Sequence, residues 1–300
     1  MKRAKYLLVL LGILSTCSGV FGGESGKSKD EVKLLTIGNS FSRSLSRYLP
    51  AAAKSAGCKL TFENIYIGAA SLKKHWENME READDPDYKY FRTWSYADKI
   101  KSRKWAYICI QQASHDSWRP ESYMPYAKQM YDYIRELAPN AEIILQQTWA
   151  YRPDDKRLRQ WKIDQQKMYD GIIAACNQAA AELKIRQVPV GSAVQLARET
   201  SPVKYVPFKQ ADYKYPQLPD MRGSFVGTIR WSKDKKRLEG DTFHLNRQGE
   251  FLQACVWFAF LYNRPVSDIK LSPRGMSKED ANFIKSVAQK AVDSFKQTAR

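Results

Sequence analysis

The apolar run Val32-Lys33-Leu34-Leu35-Thr36-Ile37 stops abruptly at Gly38-Asn39-Ser40, and the same arrest recurs along the chain. A short apolar run bounded by turn residues reads as a buried strand. Leu60, Phe62 and Ile65 to Ile67 end at Gly68, Trp105 to Ile110 ends at Gln111-Gln112, Ile143 to Leu145 supplies a fourth run, and Val188-Pro189-Val190 a last one before Gly191. Helical stretches separate them, over about Ser44 to Ala56, Tyr123 to Leu137 and Leu158 to Leu183. In the last of these, Trp161, Met168, Ile172, Cys176, Ala179 and Leu183 recur at near-helical spacing and predict a core-facing stripe. Strands alternating with helices through short loops predict an α/β fold with a parallel sheet covered on both faces. No internal repeat appears, so residues 24–300 are expected to form one domain.

The alternation fails between residues 201 and 240, where nine basic residues stand against four acidic ones among six aromatics, including Tyr205, Tyr213, Tyr215 and Trp231. This segment reads as a surface excursion near the site. The polar, aromatic stretch from Ala83 to Arg103 reads as a hairpin or a second excursion. After the 201–240 segment come Asp241-Thr242-Phe243-His244-Leu245, an apolar helix over about Asn246 to Tyr262 and an amphipathic helix over about Lys278 to Gln297.

The N-terminus has the order of an export signal: Lys2, Arg3 and Lys5, an apolar run from Tyr6 to Leu14, then small residues to Gly23. Its removal leaves 46 basic against 32 acidic residues, a net charge of +14 in place of +17. In Leu14-Ser15-Thr16-Cys17, Thr16 stands where a smaller residue is usual before a lipidated cysteine. Export to the periplasm or medium therefore ranks ahead of anchoring through Cys17. No other stretch is long enough to span a membrane. The basic balance favours acidic partners, but no compact basic motif with interleaved aromatics points to a nucleic acid. The five cysteines never form CxxC pairs, so no metal is expected. Four of them remain after cleavage; Cys109 and Cys255, inside apolar runs, are expected as buried free thiols, and no disulfide is required. Asp84-Asp85-Pro86-Asp87 lacks the ligand spacing of a calcium loop and reads as a solvated turn.

With only three histidines, His75, His115 and His244, any imidazole chemistry must choose among them. A carboxylate three residues before His244, at Asp241, can turn back to the imidazole Nδ1 and leave Nε2 as a general base. A serine hydroxyl becomes a nucleophile when such a base takes its proton. Ser40 is the candidate, presented after the first strand at the carboxyl end of the sheet, where open α/β folds build their sites. An alternative reading of Asp241 and Thr242 is the N-terminal cap of the following helix. The contiguous Ser114-His115-Asp116 carries the same residue types, but adjacent side chains point apart and rarely form a working triad. His75 reads as a surface or packing residue.

Leu35-Thr36-Ile37-Gly38-Asn39-Ser40-Phe41-Ser42, Tyr66-Ile67-Gly68-Ala69-Ala70-Ser71-Leu72, Ile110-Gln111-Gln112-Ala113-Ser114-His115 and the Asp-x-x-His-Leu block together resemble the SGNH hydrolases, the GDSL-like esterases and lipases. The first three are similar to the exported bacterial DUF4886 family within that superfamily, over about Val32 to Arg264. The resemblance implies a three-layer, flavodoxin-like α/β/α fold and a serine esterase without a cofactor or metal. It implies that Ser40 attacks an acyl carbon, His244 acts as base and then acid, and Asp241 orients it. The implied oxyanion donors are the backbone N–H groups of Ser40 and Gly68 and a side-chain amide after the third strand. The superfamily has Gly-x-Asn there and this chain has Gln111-Gln112-Ala113-Ser114. A glutamine amide donates the same bond from one methylene further, which makes Gln112 the expected donor and Gln111 and Ser114 its rivals. Strand alternation lets only one of the two glutamines face the site.

The basic, aromatic excursion suits an acylated polysaccharide or oligosaccharide, acidic ones included, because aromatic faces pack on sugars and cations meet carboxylates or sulfates. Removal of acetyl or other acyl groups from a carbohydrate is the leading expectation. A glycan-binding protein without turnover is the alternative, prompted by the missing Gly-x-Asn.

Overall fold

The structure, a computed structural model, describes residues 30–298, so the export segment and Cys17 lie outside the described residues. In chain order the elements are β1 (Glu31–Gly38), α1 (Ser40–Arg43), α2 (Leu49–Ser55), β2 (Lys59–Tyr66), α3 (Leu72–Asp84), α4 (Tyr96–Lys101), β3 (Tyr107–Ile110), α5 (Tyr126–Leu137), β4 (Glu142–Gln146), α6 (Lys156–Gln160), α7 (Gln165–Leu183), β5 (Arg186–Val188), α8 (Val190–Thr200), β6 (Val226–Trp231), β7 (Leu238–Leu245), α9 (Arg247–Tyr262) and α10 (Lys278–Thr298).

β1 to β5 form one parallel sheet in the order β2-β1-β3-β4-β5. Strands buried on both faces are near-continuously apolar: β3 is Tyr-Ile-Cys-Ile, all four buried, and Leu34 to Gly38 of β1 are buried throughout. α3, α4, α5 and α7 pack together in one layer, α2, α8, α9 and α10 in the other. This is a three-layer α/β/α fold. α9 is buried almost all round, from Phe251 to Tyr262, because it packs on α2, α8 and α10 as well as on the sheet. Cys109 and Cys255 are buried free thiols, as expected, and so are Cys58 and Cys176.

Four local expectations are corrected. The helix read over Leu158 to Leu183 is two, α6 and α7, broken where Lys162 takes φ 58°; Trp161 caps α6 and has left the stripe. The run ending at Val190 stops as a strand at Val188, and Pro189 opens α8, a helix whose first turn needs no N–H from the residue before it. The stretch from Ala83 to Arg103 holds the end of α3 and the short α4 with a Ser95-Asp98 capping box. The end of the 201–240 excursion is a second sheet, the antiparallel hairpin β6–β7, and Asp241 and His244 lie on β7.

Candidate active site

Ser40 follows β1 directly and opens α1, with Asn39 as its cap: Asn39 Oδ1 accepts from Phe41 N at 3.0 Å, and Asn39 O accepts from the backbone N–H groups of Ser42 and Arg43. The turn requires Gly38. A Cβ there would lie 2.9 Å from both Gln111 Cγ and Ser42 Oγ, so no larger residue fits between β1 and β3.

Below Ser40 runs a chain of buried amides. Gln253 Nε2 and Trp257 Nε1 donate to Gln146 Oε1, at 3.2 and 2.8 Å; Gln146 Nε2 donates to Gln111 Oε1 at 2.7 Å. Gln111 Nε2 donates to Asn39 Oδ1 at 2.7 Å, and Asn39 Nδ2 to Ala70 O at 2.9 Å. Buried amides without partners are costly, whereas a connected chain fixes each member's orientation. The sequence reading missed Gln146 and Gln253. A glutamine pair closing β3 (Gln111-Gln112) and another closing β4 (Gln146-Gln147) were the available signal.

His75 is fully buried under the same turn: its Nε2 lies 3.2 Å from Gly38 O and its Nδ1 2.7 Å from Tyr96 Oη. The neutral ring that donates to Gly38 O and accepts from Tyr96 satisfies both contacts. Burial pushes its pKa down to about 4, against the pull of the Gly38 carbonyl. The packing alternative for His75 therefore describes it, and the surface one does not.

The pair Asp241 and His244 needs an irregular strand, since residues i and i+3 of a regular strand point to opposite faces. Register supplies it: Val226 pairs with Leu245 but Thr228 with Asp241, so β7 bulges over Thr242 to His244. Bulges re-aim side chains. Asp241 Oδ1 accepts from Phe243 N at 3.1 Å and from His244 N at 2.8 Å, closing the bulge on itself, and Thr228 Oγ1 donates to Asp241 Oδ2 at 3.0 Å. Asn246 caps α9, so the capping alternative for Asp241 and Thr242 is not what the fold uses. Gly227, opposite the bulge, has φ 91°, a conformation that favours glycine, and a Cβ there would lie 2.7 Å from Arg152 Nη1.

These regions meet at His244. Its Nε2 lies 2.8 Å from Ser40 Oγ, and its Nδ1 3.6 Å from Asp241 Oδ2, an ionic contact longer than a hydrogen bond. Burial raises the Asp241 carboxyl, but the His244 ring and the two backbone N–H groups outweigh it and hold Asp241 below the usual carboxylate range. Phe41 stacks on Trp149 with ring centres 3.9 Å apart, and Trp149 Nε1 donates to Phe243 O at 2.8 Å, so Trp149 joins the serine turn to the bulge.

Gln112 is not placed as expected. Its Nε2 donates to Ser122 O and Oγ, at 2.7 and 3.1 Å, and its Oε1 accepts from Leu72 N and Ala113 N. Alternation sends Gln111 toward Asn39 and the serine turn, and Gln112 away from it. Gly68 is exposed beyond β2; since Gly38 pairs with Tyr66, it and Ser40 each stand two residues past the same rung. Ser114 Oγ bonds Tyr151 Oη at 2.9 Å, while His115 faces Asp116 at 3.4 Å, so the contiguous Ser-His-Asp is not assembled.

A cleft of about 430 Å³ opens beside Ser40 and His244, with Arg43, Ser44, Arg47, Trp149 and Glu250 among its walls. From His244 a row of rings leads outward: Phe243 at 4.1 Å, then Tyr151, Trp161 and Trp118, each centre 5.7 Å from the last. Of the rings in the 201–240 excursion, Phe208 meets Tyr213, Tyr215 meets Trp231, Arg152 lies over Tyr205 and Phe208, and Phe225 is buried against Phe283. Among the described residues no helix is long and apolar enough to cross a membrane.

Among solved structures, a DUF4886 family protein from Bacteroides uniformis is 27% identical, covers 88% of this chain and 95% of its own, and has a TM-score of 0.71. The lipase/acylhydrolase from Enterococcus faecalis is 12% identical over 78% of this chain and 96% of its own, with a TM-score of 0.42. A GDSL-like lipase from Bacteroides thetaiotaomicron is 11% identical over 77% and 88%, also with a TM-score of 0.42. No curated protein matches. A family model described as a domain of unknown function, DUF4886, matches residues 33–231, more than half the chain. The chain, with its three-layer α/β/α fold, belongs to the DUF4886 family.

Proposed function

We propose that this protein is a serine esterase that removes acyl groups from a carbohydrate. The observation that carries the reading is the 2.8 Å contact between Ser40 Oγ and His244 Nε2, with Asp241 on the other ring nitrogen. In the reaction, Ser40 Oγ bonds to the acyl carbon as His244 Nε2 takes its proton. The tetrahedral intermediate places its oxyanion toward the backbone N–H groups of Ser40 and Gly68. His244 then returns the proton to the leaving alkoxide as the ester C–O bond breaks, and water releases the acyl group by the same steps in reverse. Asp241 stabilises the imidazolium and keeps the ring's orientation. Support for a sugar ligand is limited to the partly exposed rings Phe243, Trp161 and Trp118 near His244, since exposed aromatic surface packs against pyranose C–H groups; Tyr151 between them is buried. This support comes from outside the excursion that first suggested it.

Release of 4-nitrophenol from 4-nitrophenyl acetate, and of acetate from acetylated oligosaccharides, tests the reading. Ser40→Ala should lower kcat at least about 10³-fold with the fold retained. Equal turnover by that variant would sink it. A second reading, a glycan-binding protein without turnover, draws on one observation: the amide of Gln112 is engaged by Ser122 and offers no third oxyanion donor. Saturable oligosaccharide binding with no acyl release, unchanged in Ser40→Ala, would favour it.

A further inference from the structure

Two guanidinium groups line the cleft, and their surroundings differ. Arg47 Nε lies 2.6 Å from Glu250 Oε2, so its charge is answered within the protein. Arg43 makes no ion pair and no side-chain hydrogen bond among the described residues; its guanidinium carbon lies 5.1 Å from the centre of the Tyr66 ring. Arg152 pairs with Asp154 at 2.5 Å, Arg157 with Asp155 at 2.5 Å, and Arg119 faces Asp116 at 3.6 Å. Arg43 is also exposed. It stands three residues after Ser40, a spacing that puts both on one side of α1.

We propose that Arg43 binds an anionic group of the substrate, a carboxylate or sulfate carried close to the scissile ester, and so selects anionic over neutral esters. The proposal rests on the esterase reading and deepens it. A guanidinium fork matches the two oxygens of a carboxylate and is weakly hydrated, and the Tyr66 ring beneath it attracts the cation before a ligand arrives. Glu250 spares Arg43 because Arg47 occupies it. The cleft is thus left with a positive charge that a substrate anion completes. The anion can ride on the acyl group or on the alcohol.

Two matched substrate pairs test this and separate those sources. 4-Nitrophenyl butyrate against mono-4-nitrophenyl succinate varies the acyl side; an acetylated methyl glucoside against its glucuronoside counterpart varies the alcohol side. Arg43→Gln should lower the anionic-to-neutral ratio of kcat/KM about tenfold in one pair, the scale of one partly exposed charge-assisted contact. Arg43→Lys should restore part of it. The ratio cancels any common loss, and the exposed position keeps folding out of the comparison. A ratio indifferent to Arg43→Gln in both pairs overturns the proposal and leaves the esterase standing. Should no ester turn over in wild type, the esterase reading fails and calorimetry decides the anion site. Glucuronate oligosaccharide binding to Ser40→Ala that is lost on adding Arg43→Gln upholds the site, and binding that persists overturns it.

Discussion

Ser40 and His244 come from regions built in opposite ways. The serine turn stands at the end of a central strand, on a buried chain of amides from Trp257 to Asn39 and a fully buried imidazole. The histidine and its aspartate ride on a two-stranded hairpin whose bulge is closed mainly by its own bonds, with the His244 side chain 37% exposed. The hairpin is tied to the main body at few points. Arg152 N donates to Thr242 O at 2.8 Å, Thr242 Oγ1 bonds Asp155, and Trp149 Nε1 reaches Phe243 O. The contrast separates two kinds of sensitivity. Damage under Ser40 should reach the whole fold, whereas damage to the hairpin's ties should reach the reaction first.

The sharpest test of the contrast is chemical. His244→Ala should lower kcat at least about 10³-fold on 4-nitrophenyl acetate while moving the urea midpoint little, and Asp241→Asn should lose less than His244→Ala. Similar unfolding of both variants with intact residual rates would reverse the assignment of roles.

Next in size is a pH effect on the serine side. His75 has a folded pKa of about 4 against 6.5 ordinarily, so the unfolded chain protonates first as pH falls. Its contribution is complete above about pH 6.5 and drains away toward pH 4, to the extent of about 3 kcal/mol. Urea unfolding across that range should show a steeper loss in wild type than in His75→Gln, which has no titrating ring; parallel profiles would argue against it.

A smaller loss of stability is expected from Gln146→Leu, which strands Gln111 Oε1 and Trp257 Nε1 in the interior at about 2 kcal/mol, while Gln253 keeps its bond to Phe41 O. Chemical denaturation measures it, and a change below about 0.5 kcal/mol would mean that the amide chain is not a structural frame.

The smallest effect should come from Thr242→Val. It removes the side-chain tie to Asp155, so we expect about a fivefold fall in kcat/KM with stability within about 0.5 kcal/mol of wild type. A stability loss without an activity loss would erase the distinction between the two regions.

The readability of the chain follows the same division. β1, β3 and β4 were legible because doubly buried strands must be apolar, β2 from its spaced apolar residues, and α9 and α10 because their periodicity is long; β5 was read mostly past its end. The hairpin was not: β6 and β7 are largely half-exposed and carry no sustained core-facing alternation. α8 was hidden by its start, since Val190 continues the apolar run of β5 beyond Pro189. Of the candidate site, Ser40, Asp241 and His244 could be named from residue types and order, and the structure brings them together. Neither glutamine's engagement could be read from the sequence: Gln111 Nε2 is taken by Asn39 and Gln112 Nε2 by Ser122, and such partners depend on register and packing rather than composition.

The sequence by itself determined the parallel sheet, the place of Ser40 at its carboxyl end and the short inventory from which a base had to come. Only the tertiary structure decided that β7 bulges so that Asp241 and His244 share a side, that glutamines from β3, β4 and α9 link beneath the serine, and that Arg43 is left without a carboxylate. Strand and helix character arise from neighbours a few residues apart. A hydrogen bond such as Ser40 to His244 joins groups 204 residues apart, and packing alone fixes that distance.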